Sequence, residues 1–161
     1  MADNDSALRE QLFQLLRGTN AHVDVLSALK DFPPALYGKK PPHAAHSGWE
    51  LLEHMRIALR DLWDFSTNPE YVEQKWPDDY WPATAEPPSE EAWHSSVRAL
   101  EEDLVLFGQL VKNPRSNLFG QIPWGKKDQT LLREVLLAAD HTSYHTGELV
   151  YLRRLLSAWK S

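Results

Sequence analysis

The chain contains no cysteine, which excludes disulfides, thiolate metal ligands and a cysteine nucleophile together. No apolar run approaches the roughly 18 residues needed to cross a bilayer, so no membrane partner is expected. Basic residues are too scattered for nucleic acid. The formal net charge is −6, and Lys39-Lys40 and Lys126-Lys127 are isolated pairs in Pro/Gly-rich connections, whereas phosphate-gripping proteins gather Lys and Arg on one face. No stretch alternates apolar and polar residues long enough to form a strand, and no repeat is visible. The segment Met1-Ala2-Asp3-Asn4-Asp5 is acidic, unlike a secretory signal, and makes the cytoplasm the expected compartment.

What is present fits one globular domain spanning 1–161. The apolar share of 42% and the charged share of 25% are ordinary for a chain with a single core. Four helical stretches stand out. The first begins near Asp5-Ser6 and carries Leu8, Leu12, Leu15, Thr19, His22, Leu26 and Leu29 at three- and four-residue steps, the spacing of one buried face. Gly18 predicts a kink or break within it, and Phe32-Pro33-Pro34 ends it.

The second helix starts at Ser47, with Glu50 completing a capping box. It presents Leu51, His54, Ala58, Leu62 and Phe65, widened by Leu52, Met55 and Leu59, and stops at Asn68-Pro69. The third opens with Pro88-Ser89-Glu90-Glu91, a cap followed by carboxylates that suit the positive end of the helix dipole. Its stripe is Trp93, Val97, Leu100, Leu104, Phe107 and Val111, closed by Asn113-Pro114. The fourth runs from about Gln129 to Lys160, with Leu131, Val135, Ala138, Thr142, His145, Leu149, Leu152 and Leu156 on one side. Arg153, Arg154 and Lys160 lie near its end, where cations suit the dipole. The expected fold is all-α, a four-helix bundle with long connecting loops. Those loops are too long for their lengths to order the helices.

Seven histidines are present, and three qualify as ligands. His141 and His145 are one turn apart on the same side of the last helix, able to converge on one ion. His54 repeats the pattern on the second helix, between Leu51 and Ala58. Core-facing imidazoles need partners, because an unpaired buried polar group costs about 1–3 kcal/mol. A shared metal supplies one, and hydrogen bonds to buried carboxylates are the alternative.

The segment Asp140-His141-Thr142-Ser143-Tyr144-His145-Thr146-Gly147-Glu148-Leu149, followed by Tyr151-Leu152-Arg153-Arg154-Leu155-Leu156, resembles the last helix of the DinB-like (damage-inducible) metalloproteins. The stretch His46-Ser47-Gly48-Trp49-Glu50-Leu51-Leu52-Glu53-His54-Met55 is similar to their second helix. The resemblance implies a four-helix bundle whose metal-binding histidines fall on His54, His141 and His145. Family members with a known reaction include thiol transferases and a thiol-dependent isomerase. This chain departs from the best-studied members around Ala21-His22 and in its Pro/Trp-rich loop.

Three neutral imidazoles leave a divalent ion, zinc or nickel being expected, with an open position of the kind catalytic sites keep. Asp61, two turns beyond His54, and His22 are the candidates to close it. His22 is also the candidate general base or substrate contact. Glu53, Asp140 and Glu148 are placed to orient the ligands, or are plain solvated carboxylates. His46 borders the cleft or the helix cap, while His43 and His94 read as surface residues. The connection Thr67 to Pro88 holds Tyr71, Trp76, Tyr80 and Trp81. It is either a hydrophobic clasp on the bundle or a lid over a substrate. The functional expectation is a metal-dependent thiol transferase or hydrolase acting on a small molecule. Its expected partners are that substrate, a low-molecular-weight thiol among the possibilities, and a second copy of the chain as a possible homodimer. The alternative is a non-catalytic, metal-stabilised binding protein.

Overall fold

A computed structural model of the chain describes residues 2–159. Five α-helices carry the structure: α1 (Ala2–Arg17), α2 (Val25–Leu29), α3 (Gly48–Thr67), α4 (Glu90–Lys112) and α5 (Leu131–Leu155). Among the described residues the only extended pairing is an isolated bridge between Gln121 and Thr130. No described helix is long and apolar enough to cross a membrane.

Local chemistry sets the helix boundaries. Ser47 and Glu50 form the reciprocal box that opens α3: the Glu50 N–H donates to Ser47 Oγ at 3.2 Å and the Ser47 N–H to Glu50 Oε2 at 2.7 Å. Ser89 and Thr130 cap α4 and α5 in the same way through a single side-chain acceptor each. The predicted break falls at Gly18, whose φ of +68° suits a residue without Cβ. The chain restarts at α2 under an Asp24 cap.

Two expectations are corrected here. The first helix does not bury Leu15, which is 47% exposed, but Leu12 and Leu16. The expected stripe was carried through Gly18 to Thr19 and His22. Once the helix breaks, its phase follows Leu8, Leu12 and Leu16 alone, and both Thr19 and His22 are exposed. The last helix ends at Leu155, short of the expected Lys160, which lies outside the described residues. Ser157 adopts φ +55°, its N–H donates to the Arg154 carbonyl, and the Ala158 N–H reaches the Arg153 carbonyl at 2.7 Å. That is a Schellman stop built on serine instead of the usual glycine, so no glycine marks it in the sequence.

Helix α3 packs against α4 and α5, and α1 packs against the same two helices, with α2 lying on α5. Leu52, Met55 and Leu59 of α3, Leu100 and Phe107 of α4, Val135 and Leu149 of α5, and Leu12 and Leu16 of α1 fill the interior. Beside it, Tyr37 stacks on Trp93 at 3.8 Å, and Phe32 meets both rings edge-on. The α3–α5 seam is the one that brings three histidines together.

Candidate metal centre

His54 projects from α3, and His141 and His145 project from successive turns of α5. Across the seam, one ring nitrogen from each lies within 4.8 Å of those of the other two. His54 and His145 are buried, and His141 is half-buried. The His54 and His141 Nε2 atoms face each other at 3.0 Å.

Outer contacts decide which nitrogens are free. His54 Nδ1 is 2.8 Å from the Tyr80 carbonyl. A carbonyl only accepts, so Nδ1 carries the proton and Nε2 keeps its lone pair. His145 Nδ1 lies 2.6 Å from Glu148 Oε2, and the same logic leaves its Nε2 bare. A His141 with its proton on Nδ1 would add a third lone pair, a repulsive arrangement that a cation relieves. Around a tetrahedral ion with bonds of 2.0–2.1 Å, ligand nitrogens stand about 3.3 Å apart, close to the 3.0 Å of the His54–His141 pair and inside the 4.8 Å that bounds the cluster. The residues therefore fit a divalent ion. Among the described residues no carboxylate or fourth histidine joins the group.

Electrostatics keep these rings neutral. His141 is held down to about 4 by burial and by the neighbouring His145 and His54. His145 is held down to about 4 by burial, then by His54 and His46. Burial also lowers His54, against the opposing hydrogen bond to Tyr80. In the metal-free protein the unfolded chain therefore binds more protons than the native one between about pH 6.5 and pH 4. Stability is expected to be nearly fully present at pH 7 and to fall with acid through that window, by roughly 2 kcal/mol at pH 5 for each of His141 and His145. Urea titrations at pH 7 and pH 5 measure this. Above pH 5 the carboxylates add little, and a flat profile there in metal-free protein would rule out buried neutral rings.

Of the expected orienting carboxylates, Glu148 takes that place. Glu53 instead binds Arg56 through two contacts of 2.7 and 2.8 Å, and Asp140 is exposed. Asp61 does not close the shell: its two oxygens accept from Tyr71 Oη at 2.9 Å and Tyr80 Oη at 2.6 Å. His22 also lies apart from the cluster. Its Nδ1 contacts the Val23 carbonyl and its Nε2 contacts Ser143 Oγ, both at 2.8 Å. Ser143 is two residues from both His141 and His145 and so lies on the other side of α5. It sits in mid-helix, where neighbouring N–H groups are engaged in the helix and no donor pair is free to stabilise an oxyanion.

Sequence reasoning placed Trp81 in the aromatic loop without its partner on α3, and missed one further contributor altogether. Trp81 stacks flat on His54, with centroids 3.9 Å apart and planes 1° apart, and also stacks on His46. The missed contributor is the Tyr80 carbonyl, a backbone atom with no signature in side-chain patterns. The connection between α3 and α4 thus clasps α3, and it also walls a cleft of about 560 Å³ through Tyr71, Trp76 and Tyr80. That cleft begins at His141 and reaches Arg133 and Trp124. Arg133 lies eight residues back along α5, about 12 Å of helix. Comparison of the chain with protein-family models, with curated proteins and with solved structures finds no match.

Proposed function

We propose that this chain is a DinB-like four-helix bundle that holds one divalent metal ion, zinc or nickel, on His54, His141 and His145. On this reading it uses the ion for thiol transfer to, or hydrolysis of, a small organic molecule. The observation that carries the proposal is the convergence of three histidines across the α3–α5 seam, one of which, His141, also lines an aromatic cleft. Supporting it, α1, α3, α4 and α5 are long helices packed around a shared core, as a bundle requires.

A bound ion would act as a Lewis acid and lower the pKa of a coordinated water or thiol. The chain's own residues do the rest. Glu148 and the Tyr80 carbonyl hold two ligand rings in the metal-ready tautomer. Tyr71, Trp76, Phe65 and Trp124 give the cleft apolar walls for the organic part of a substrate and limit water around the reacting atoms. Metal analysis of the native protein, followed by a screen of small thiols against electrophiles, tests the reading. Spectra of cobalt-loaded protein should change when a thiol such as glutathione or cysteine is added. Cobalt spectra that no thiol or anion perturbs would leave a metal-stabilised binding protein in place of an enzyme.

The same reading assigns a size to Glu148. Glu148→Ala removes the acceptor on His145 Nδ1 without touching a ligand, and loss of such a partner typically costs about 10–100-fold in metal affinity. Zinc titration against a chelator of known affinity measures it. Wild-type affinity in this variant would mean that the 2.6 Å contact plays no part in the site.

A further inference from the structure

We infer that Asp61 is a positioning residue of the metal centre, acting through the aromatic loop to hold the Tyr80 carbonyl on His54. The inference rests on the metal reading for its consequence, but its geometry stands apart from any ion. Asp61 is buried on α3, 7% exposed, two turns from His54. Both of its oxygens are occupied, one by Tyr71 Oη and one by Tyr80 Oη. Both tyrosines come from the 68–89 connection, which has no regular structure apart from the short 3₁₀ turn Asp78–Tyr80. A segment with so few internal hydrogen bonds depends on anchors for its position.

Tyr80 belongs to both halves of this arrangement. Its hydroxyl is fixed by Asp61 at 2.6 Å, and its carbonyl fixes His54 Nδ1–H at 2.8 Å. Asp61 and His54 lie on one face of the same helix, so a single residue laid along that face bridges them. Trp81 follows directly and covers the His54 ring. The loop's other tie to α3 is the Ser47 hydroxyl donating to the Ala85 carbonyl, at the opposite end of the segment. Without Asp61, what remains at Tyr80 is the Trp81 stack on His54, the Trp76 ring 5.2 Å away and the Tyr80 N–H on the Pro77 carbonyl, the last two made within the loop itself. A stack constrains the plane of the imidazole but not which nitrogen carries the proton.

Asp61→Ala in otherwise intact protein is the test, read in two ways. The first is nitrogen NMR of the histidine rings in metal-free protein. Wild type should show His54 protonated at Nδ1 with slow exchange, and Asp61→Ala should show a tautomer mixture and rapid exchange. The second is zinc affinity, expected to fall about 10–100-fold, the usual effect of disturbing a ligand's outer partner. Asp61→Asn is expected to restore both, because its amide oxygen accepts from one tyrosine and its NH₂ donates to the other. If Asp61→Ala does not fold, the Tyr71→Phe/Tyr80→Phe pair, which removes only the two hydroxyls, takes its place. A variant with wild-type helicity, a protected His54 Nδ1–H and undiminished zinc affinity overturns the inference. Wild-type protein that takes up neither zinc nor nickel overturns the metal reading instead, and the ring NMR still decides the role of Asp61.

Discussion

Replacing His145 with alanine is expected to lower zinc affinity by more than the 10–100-fold typical of losing an outer partner, and His54→Ala and His141→Ala should do the same. Each substitution leaves two nitrogens where three converge, and two imidazoles on a solvent-facing ion give no closed side to the site. The three variants should differ in what else they lose. His54→Ala also removes the face on which Trp81 stacks and the donor to the Tyr80 carbonyl, so the aromatic loop should loosen with it. His141→Ala opens the end of the cleft and should leave the loop in place. The pH dependence carries a sign as well. With His141 and His145 held down to about 4, protons compete weakly, so zinc should stay bound well below the ordinary imidazole range and leave only towards pH 4. Chelator competition across pH 4–7 measures both effects. Unchanged zinc occupancy in all three alanine variants would remove the basis for the metal site.

How far the site is legible in the sequence depends on which contacts are local. His54 and His145 sit on apolar stripes with His141 beside the second, and helical period turns them towards the core, while the α3–α5 packing that joins them is tertiary. The box at Ser47-Glu50 and the break at Gly18 are equally local and are found where expected. Asp61 shows the boundary of such reasoning. Its face is read correctly, two turns along from His54, but the groups that claim its oxygens come from residues 71 and 80, across a loop without periodicity. His22 fails for a different cause: extending one phase through a glycine assumes a continuous helix, and the restart at Asp24 cancels it. The aromatic loop was legible as packed rather than disordered, because its rings need surface to cover. Which atoms it offers to the site was not legible, since one is a backbone carbonyl.

Arg153 has a larger structural part than its place in the sequence shows, and Arg153→Met is expected to destabilise the protein by about 3 kcal/mol. Position alone assigns it to the negative end of the α5 dipole, beside the exposed Arg154. In the structure it is 4% exposed, and its Nη1 donates to the carbonyls of Ala28 at 2.6 Å and Lys30 at 2.8 Å. Nη2 donates to Asp31 at 3.2 Å and Ala158 at 2.8 Å. The guanidinium thus satisfies the carbonyls left over where α2 ends, and it joins that end to the terminal turn of α5. It also lies 5.1 Å from the ring centres of both Phe32 and Trp159. Burial lowers its pKa from the ordinary guanidinium value, which is the cost of placing the charge there. Charge-assisted bonds contribute about 1.5–3 kcal/mol each but do not add, so the net lies well below their sum. Methionine keeps the apolar stem and leaves these acceptors without a donor. At about 2–4 °C per kcal/mol for a chain of this size, the melting temperature should fall by about 10 °C. Lysine should recover only part, since one ammonium cannot span both helix ends, and Arg154→Ala should stay within about 0.5 kcal/mol of wild type. A five-residue helix does not persist alone, so hydrogen exchange at Leu29 and Lys30 should rise most in Arg153→Met. Urea unfolding within 1 kcal/mol of wild type, with unchanged exchange at those two amides, would show that α2 is held by its apolar contacts and not by the guanidinium.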